Sequence, residues 1–286
     1  MMPPTFWLVT TEHLEDRLWF KDEEDFMVAM NLVAVLSVLY PGVILAFTLM
    51  SNHVHFVLRC PYATALKFIT QLKKRYSQYY SKKYGSTELL RDNTIDIREL
   101  KIGDESFERA VAYVQMNSVA ANICLEPSGY PWGTGDTFFS LNKPKYTLAK
   151  EFSARALRRM THSHVSIPPH YLVDDRGFIR PESYVQVKFV ETVFKTPSRM
   201  NYFLRNSSKA KRISEGPSFN DQLVSAGLHN LCVSLYQKDT LGQLPDVHKS
   251  EVFRQLRYRF SADPNQMARV SGLSYEDVCD LLERFQ

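Results

Sequence analysis

The sequence predicts an α+β fold, in which a sheet covered by helices is followed by a mostly helical C-terminal extension. Three observations carry this reading. Short runs rich in β-branched and aromatic residues alternate with longer runs of helical periodicity. Pro and Gly stand between them as breaks. The last stretch, residues 246–286, shows helical pattern throughout. With 44% hydrophobic and 13% aromatic residues in 286, the chain has ample material for a core, which excludes wholesale disorder.

Phe6-Trp7-Leu8-Val9-Thr10-Thr11 reads as a first strand. Asp22 to Leu39 is helical, with Phe26, Met30, Val33 and Leu36 recurring three or four apart, and Pro41-Gly42 breaks it. Val43 to Met50 and His53 to Arg59 read as two strands joined tightly at Ser51-Asn52. Ala63 to Tyr84 is a second helix closed by Gly85, Ile95 to Leu100 a further strand, and Ser106 to Asn117 a third helix. A Pro-, Gly- and Trp-bearing loop from Pro127 to Gly135 ends this unit. Beyond it, Lys150 to Met160 is a basic helix, and Ile167-Pro168-Pro169 is a break. Val173 to Ile179 reads as a hairpin turn between short strands. Residues 195–245 are polar in places, notably Asn206 to Asn220, and read as a linker with some helix. The expected division is 1–140, 141–245 as basic extension and linker, and 246–286 as a small helical module.

No apolar run approaches the roughly 18–20 residues of a membrane span, and Met1-Met2-Pro3-Pro4 does not open a secretory signal. Cys60, Cys124, Cys232 and Cys279 are scattered, with no CxxC pair. They fit four free thiols of a cytosolic protein, without a zinc framework or disulfide scaffold. The net charge of +4 divides unevenly: residues 1–140 hold 13 Lys+Arg against 16 Asp+Glu, and residues 141–286 hold 22 against 15. A basic second half points to an acidic partner, and nucleic acid is the usual one.

The run Met50-Ser51-Asn52-His53-Val54-His55-Phe56-Val57-Leu58 carries the first chemistry. On a strand, alternate side chains share a face, so His53 and His55 project together while Val54, Phe56 and Leu58 bury the other side. Two neighbouring imidazoles can bind one metal ion; the alternative is a hydrogen-bonded pair at a strand edge. Thr161-His162-Ser163-His164 repeats the spacing in a loop-like context and reads as a surface coincidence. The second element is the helix from Ser106, with an apolar stripe of Phe107, Ala110, Val111 and Val114. Tyr113 and Asn117, four apart, share one edge of it. A phenol with an ordinary pKa of about 10 is a poor nucleophile until a metal or base helps it. Asn117 could add an amide oxygen as a third ligand. The alternative is an interfacial Tyr and a capping Asn.

Taken together, Ala46 to Leu58 resembles the HUH motif (His, bulky hydrophobe, His) of single-tyrosine transposases. Tyr113-Val114-Gln115-Met116-Asn117-Ser118-Val119-Ala120-Ala121-Asn122 resembles that family's tyrosine helix, and Tyr130-Pro131-Trp132 its following Tyr-x-Trp stretch. The resemblance covers residues 5–140 and is closest to the REP-associated and insertion-sequence subgroups. It implies a ferredoxin-like sheet with helices on one face, acting on single-stranded DNA at hairpin sites, in a cytoplasmic, nucleoid-associated protein of bacterial type. Tyr113 would be the nucleophile of a 5′-phosphotyrosine link, and His53, His55 and Asn117 would hold Mg²⁺ or Mn²⁺. Ser51 and Ser118 stand where Pro is usual, and Asn122 where Gly is usual. A domesticated, non-cleaving DNA-binding protein and a non-enzymatic domain with structural histidines are the alternatives. A homodimer and a monomer both stay open.

The helix from Lys67 to Lys83 supports DNA binding on its own terms. Lys67, Lys73, Lys74, Arg75, Lys82 and Lys83 lie among Tyr76, Tyr79, Tyr80 and Tyr84 with no acid between. Cations can track phosphates and tyrosines can stack on unpaired bases; the alternative is a solvated face beside a Tyr-rich core stripe. At the C-terminus, Gln266 to Ser274 resembles the first helix and turn of a helix-turn-helix module. Its second helix opens Tyr275-Glu276-Asp277, which is acidic, so a packing bundle stands beside a DNA reader.

Overall fold

The computed structural model describes residues 5–14, 17–85, 89–90, 92–121, 123–140, 146–209 and 219–284. Its centre is a four-stranded antiparallel sheet of β1 (Phe6–Thr11), β2 (Ile44–Met50), β3 (His53–Arg59) and β4 (Ile95–Leu100), in the order β2-β3-β1-β4. The two-residue link at Ser51-Asn52 sets the β2–β3 register, pairing Met50 with His53 and Thr48 with His55. Across the other edge of β3, Thr10 pairs with His55.

Strand alternation divides the sheet into two chemically distinct faces. One carries Phe47 and Phe56, stacked at 5.4 Å. Here α2 (Tyr62–Tyr84) packs, with Phe68 edge-on to Phe56 at 5.3 Å, and α1 (Glu23–Leu39) lies against α2. Asp22 caps α1 by accepting from the Asp25 amide at 2.9 Å, and Gly85, at φ 72°, closes α2 in the left-handed conformation that suits glycine. The opposite face carries Thr10, Thr48, His53 and His55. It is covered by α3 (Ser106–Gln115), whose Val114 carbonyl accepts from Thr48 Oγ1 at 2.9 Å. The helices are therefore not confined to one face: the tyrosine helix lies across the sheet from α1 and α2.

That third helix is also shorter than its periodicity suggested. It ends at Gln115, and after Met116 a one-turn helix, α4 (Asn117–Ala120), follows. Asn122 lies outside the described residues. The loop beyond runs along β2 and covers its free edge: Leu49 N–H donates to the Trp132 carbonyl at 2.8 Å, Thr134 N–H to that of Phe47 at 2.9 Å, and the Tyr130 hydroxyl to that of Leu49 at 2.8 Å.

The rest of the chain forms two groups. α5 (Ala154–Thr161), which starts four residues later than its basic pattern suggested, the strand pair β5 (Thr147–Leu148) and β6 (Leu172–Val173), α6 (Val187–Phe194) and α7 (Pro197–Arg205) belong to the sheet's own core. Buried Asn31 ties them to α1. Its amide donates to the Met160 and Gly177 carbonyls, and its oxygen accepts from Ile179 N–H at 2.9 Å. This is why α1 is apolar almost all round. α8 (Asp221–Tyr236), α9 (Asp246–Phe260), α10 (Pro264–Ser271) and α11 (Tyr275–Arg284) build a second core from Val224, Leu231, Phe253, Leu256, Met267 and Val278. The stretch read as a linker thus holds two helices, α7 and α8, one in each core, while residues 210–218 lie outside those described. Among the described residues no helix is long and apolar enough to cross a membrane.

Candidate metal and tyrosine site

At the start of β3, His53 and His55 lie side by side on the face covered by α3, their rings 4.6 Å apart and nearly perpendicular. Both are buried, at 5% and 0% exposure. Each has one ring nitrogen engaged. His53 Nδ1 lies 2.8 Å from Asn52 Oδ1. Because Asn52 Nδ2 donates to the Leu14 carbonyl at 2.8 Å, its oxygen is the atom turned to the ring, so Nδ1 of His53 carries the proton. His55 Nδ1 lies 3.0 Å from Thr10 Oγ1. In both rings the Nε2 atom is buried without a protein partner.

A third imidazole completes the cluster. His13, just past the end of β1, stacks on His53 at 3.6 Å, and ligand atoms of His13, His53 and His55 all lie within 4.8 Å of one another. The motif spacing did not identify His13; its signal is positional, since β1 pairs with β3 and the residues after Thr11 emerge beside the histidines. Burial, then the neighbouring His55 and His13, then Lys209 and Arg269, lower the pKa of His53 well below the ordinary imidazole value. Burial first, then His13 and Lys209, bring His55 to about 3, with the neighbouring Asn117 acting in the opposite direction. Both rings are therefore neutral near pH 7, the state in which imidazole binds a metal.

The tyrosine helix meets this cluster. The Tyr113 ring stands edge-on to that of His55 at 5.4 Å and is half-buried. Burial raises its phenol pKa; Arg98 on β4 opposes this and Asp96 reinforces it. Lys209 Nζ lies 5.1 Å from the ring centroid. Asn117 is buried at 4%, and its Nδ2 donates to the Tyr113 carbonyl at 2.8 Å. With Nδ2 committed to the helix carbonyls of Tyr113 and Val114, the oxygen is the Asn117 atom left for the histidines. Capping the helix end and facing the histidines are thus both done by one side chain. The donor set fits a divalent ion: bare, buried imidazole nitrogens, fixed from behind by Asn52 and Thr10, with an amide oxygen adjacent. Imidazole-rich sites suit Mn²⁺ better than Mg²⁺, which prefers oxygen.

The structure places the cationic helix α2 on the other face of the sheet, away from this cluster. Lys67, Lys74 and Lys82 are exposed, and Arg75 is half-buried. Lys83 turns inward to Asp22, Glu24 and Asp25 at 2.7, 2.9 and 3.0 Å, and Lys73 Nζ donates to the Asn93 carbonyl. Tyr79 must be corrected as a stacking residue. Its ring is buried and its hydroxyl donates to Asp25 at 2.9 Å; Tyr76 and Tyr80 are buried with it. The second His-x-His run is indeed separate from the site: His162 caps α5 in the left-handed conformation and packs on Tyr79 at 5.2 Å.

Comparison of the chain with curated proteins and with solved structures gives no significant match. Residues 30–95 match the model of the family described as Transposase IS200 like. The matched stretch spans most of α1, both strands around the histidine run and all of α2, and it stops before Tyr113. With the histidine run inside that segment, the match agrees with the motif resemblance: over residues 30–95 the chain is similar to IS200-like transposases, consistent with the single-tyrosine HUH family.

Proposed function

We propose that this transposase-like protein cleaves and transfers single-stranded DNA, at hairpin sites, through a covalent link to Tyr113. The observation that carries the reading is the meeting of Tyr113 with His55 at 5.4 Å, beside two buried imidazole nitrogens that have no protein partner. The Tyr113 oxygen attacks the scissile phosphorus and loses its proton to solvent, and the departing O3′ takes one up from solvent, so protons balance. The P–O3′ bond breaks, leaving a 3′-hydroxyl on one strand and a 5′-phosphotyrosine on the other. Attack by a second 3′-hydroxyl reverses the exchange, so one phosphodiester is made for each one broken and no external energy source is needed.

His13, His53, His55 and Asn117 would hold the divalent ion, Mn²⁺ or Mg²⁺, which when bound neutralises charge on the non-bridging phosphate oxygens. The chain's own residues do the rest. α3 holds the phenol against the sheet, Asn52 and Thr10 fix the imidazoles, and Lys209 adds positive charge beside the tyrosine. Tyr113 and the histidines belong to one chain in this arrangement, which favours attack within the subunit. The exposed Lys67, Lys74 and Lys82 on the far face would contact phosphates outside the reacting segment.

The test is incubation with hairpin-bearing single-stranded DNA and Mn²⁺ or Mg²⁺, followed by denaturing electrophoresis. A covalent adduct is expected from the wild-type protein and none from Tyr113→Phe; an adduct of equal yield in that variant would contradict the proposal. One observation favours a second reading, a DNA-binding protein that does not cleave: the Tyr113 phenol is raised, not lowered, in pKa. Tight binding of the same DNA with no adduct under either ion would establish it.

A further inference from the structure

We propose that Asp221 is a positioning residue for the histidine site, and that the helical module α8–α11 is thereby part of that site. The inference rests on the metal-site reading of His53 and His55, and its test keeps the two separable.

Asp221 is the first residue of α8, and its carboxylate is 2% exposed. Three of its contacts come from its own module. Gln266 Nε2 donates to Oδ1 at 2.9 Å, Arg269 Nη2 to Oδ1 at 3.1 Å, and Arg269 Nε to Oδ2 at 3.0 Å. This paired fork from α10 neutralises the buried charge and fixes its plane. The fourth contact leaves the module. Ser51 Oγ, itself buried, donates to Asp221 Oδ2 across 170 residues of sequence.

Ser51 is half of the turn that delivers β3. Its carbonyl accepts from Trp19 N–H at 2.8 Å and Phe20 N–H at 3.2 Å, and the Phe20 carbonyl accepts from Gln222 Nε2, the residue after Asp221, at 2.8 Å. The turn is therefore held by backbone from one side and by the first turn of α8 from the other. Its next residue, Asn52, holds the proton of His53 on Nδ1 and leaves Nε2 bare. Asp221 thus acts on His53 through Ser51 and Asn52. A buried carboxylate paired with Arg269 and Gln266 has no need of Ser51 for its own neutralisation; what the Ser51 contact adds is a fixed turn. Partners that touch a ligand directly, as Asn52 does, typically change metal affinity by about 10- to 100-fold when removed; Asp221, further out, acts at the low end of that range.

The experiment uses full-length protein in four forms: wild type, Ser51→Ala, Asp221→Asn and Lys249→Gln, the last altering an exposed ion pair of the same module. Two readouts are taken on folded protein: imidazole ¹⁵N–¹H correlation spectra, which report the His53 tautomer, and Mn²⁺ titration calorimetry. Wild type and Lys249→Gln should show one Nδ1-protonated His53. Ser51→Ala and Asp221→Asn should lose that single tautomer and bind Mn²⁺ about ten-fold more weakly. The double variant should be no worse than either single one, because both break the same chain of contacts, and Ser51→Thr, which keeps the hydroxyl, should restore the wild-type spectrum. Should Asp221→Asn fail to fold, Ser51→Ala alone decides. A Ser51→Ala protein with the wild-type tautomer and affinity overturns the proposal, as do additive losses in the double variant. Absence of Mn²⁺ binding in the wild type would defeat the metal reading, and the tautomer comparison would then support or overturn the positioning role alone.

Discussion

The two nitrogens of His53 stand in different surroundings, one facing Asn52 Oδ1 at 2.8 Å and the other buried with no protein partner. A ring arranged in this way has a cost unless something accepts the bare lone pair, and a metal ion is the group that would. Mn²⁺ should therefore raise the thermal midpoint by mass action, and His53→Ala should abolish that rise. His13→Ala should weaken Mn²⁺ binding by about ten-fold in calorimetry while leaving the fold intact, since His13 is exposed and stacks on the cluster from its rim. The pair on β3 was legible because two-residue alternation alone puts His53 and His55 on one face. His13 was not, because its place follows from the pairing of β1 with β3, which no local spacing encodes.

At the level of elements, α2 shows how a charge pattern divides once a helix is packed. Six cations along one helix read as a single basic surface, but Lys83 lies within 3.0 Å of Asp22, Glu24 and Asp25, from residues some sixty positions earlier. Asp25 is fully buried, so Lys83→Met would leave its carboxylate without its cation. A loss of about 2–3 kcal/mol in denaturant unfolding is expected, with DNA affinity unchanged. Combined reversal of the exposed Lys67, Lys74 and Lys82 to Glu should do the opposite, weakening DNA binding and flattening its salt dependence while stability stays within about 0.5 kcal/mol. The loop beside β2 has its own constraint. A Cβ on Gly133 would meet the Phe47 carbonyl oxygen at 2.5 Å and Thr48 Cα at 3.0 Å. Gly133→Ala should therefore cost about 1–3 kcal/mol and loosen the strand that anchors α3 through Thr48.

Across the whole molecule, two hydrophobic cores meet at one buried carboxylate. Burial alone would raise the pKa of Asp221, but the charge and hydrogen bonds of Arg269, with those of Ser51 and Gln266, hold it below the ordinary value. A carboxyl group with a lowered folded-state pKa contributes stability that is fully present above its unfolded value, about 4, and that is lost as pH falls through the folded value. Wild type should thus unfold at higher temperature than Asp221→Asn at pH 7, and the gap should close as the pH is taken below about 4. The α+β class and most strand and helix limits were legible from periodicity and breakers. The second core's share of α8 was not, because Val224, Leu228 and Leu231 are spaced among polar residues, and their burial depends on helices whose core residues lie about twenty to fifty positions away. Nor could the sequence show that Ser51, in the turn before the histidines, meets Asp221.

The claim on which the rest depends is that Tyr113 is the atom donor to DNA. The direct measurement is to form the covalent product with labelled hairpin-bearing single-stranded DNA and Mn²⁺, digest it, and identify the DNA-bearing peptide by tandem mass spectrometry. The expected result is a 5′-phosphotyrosine at Tyr113. A phosphodiester on any other residue, or cleaved DNA with no covalent peptide at all, would contradict it.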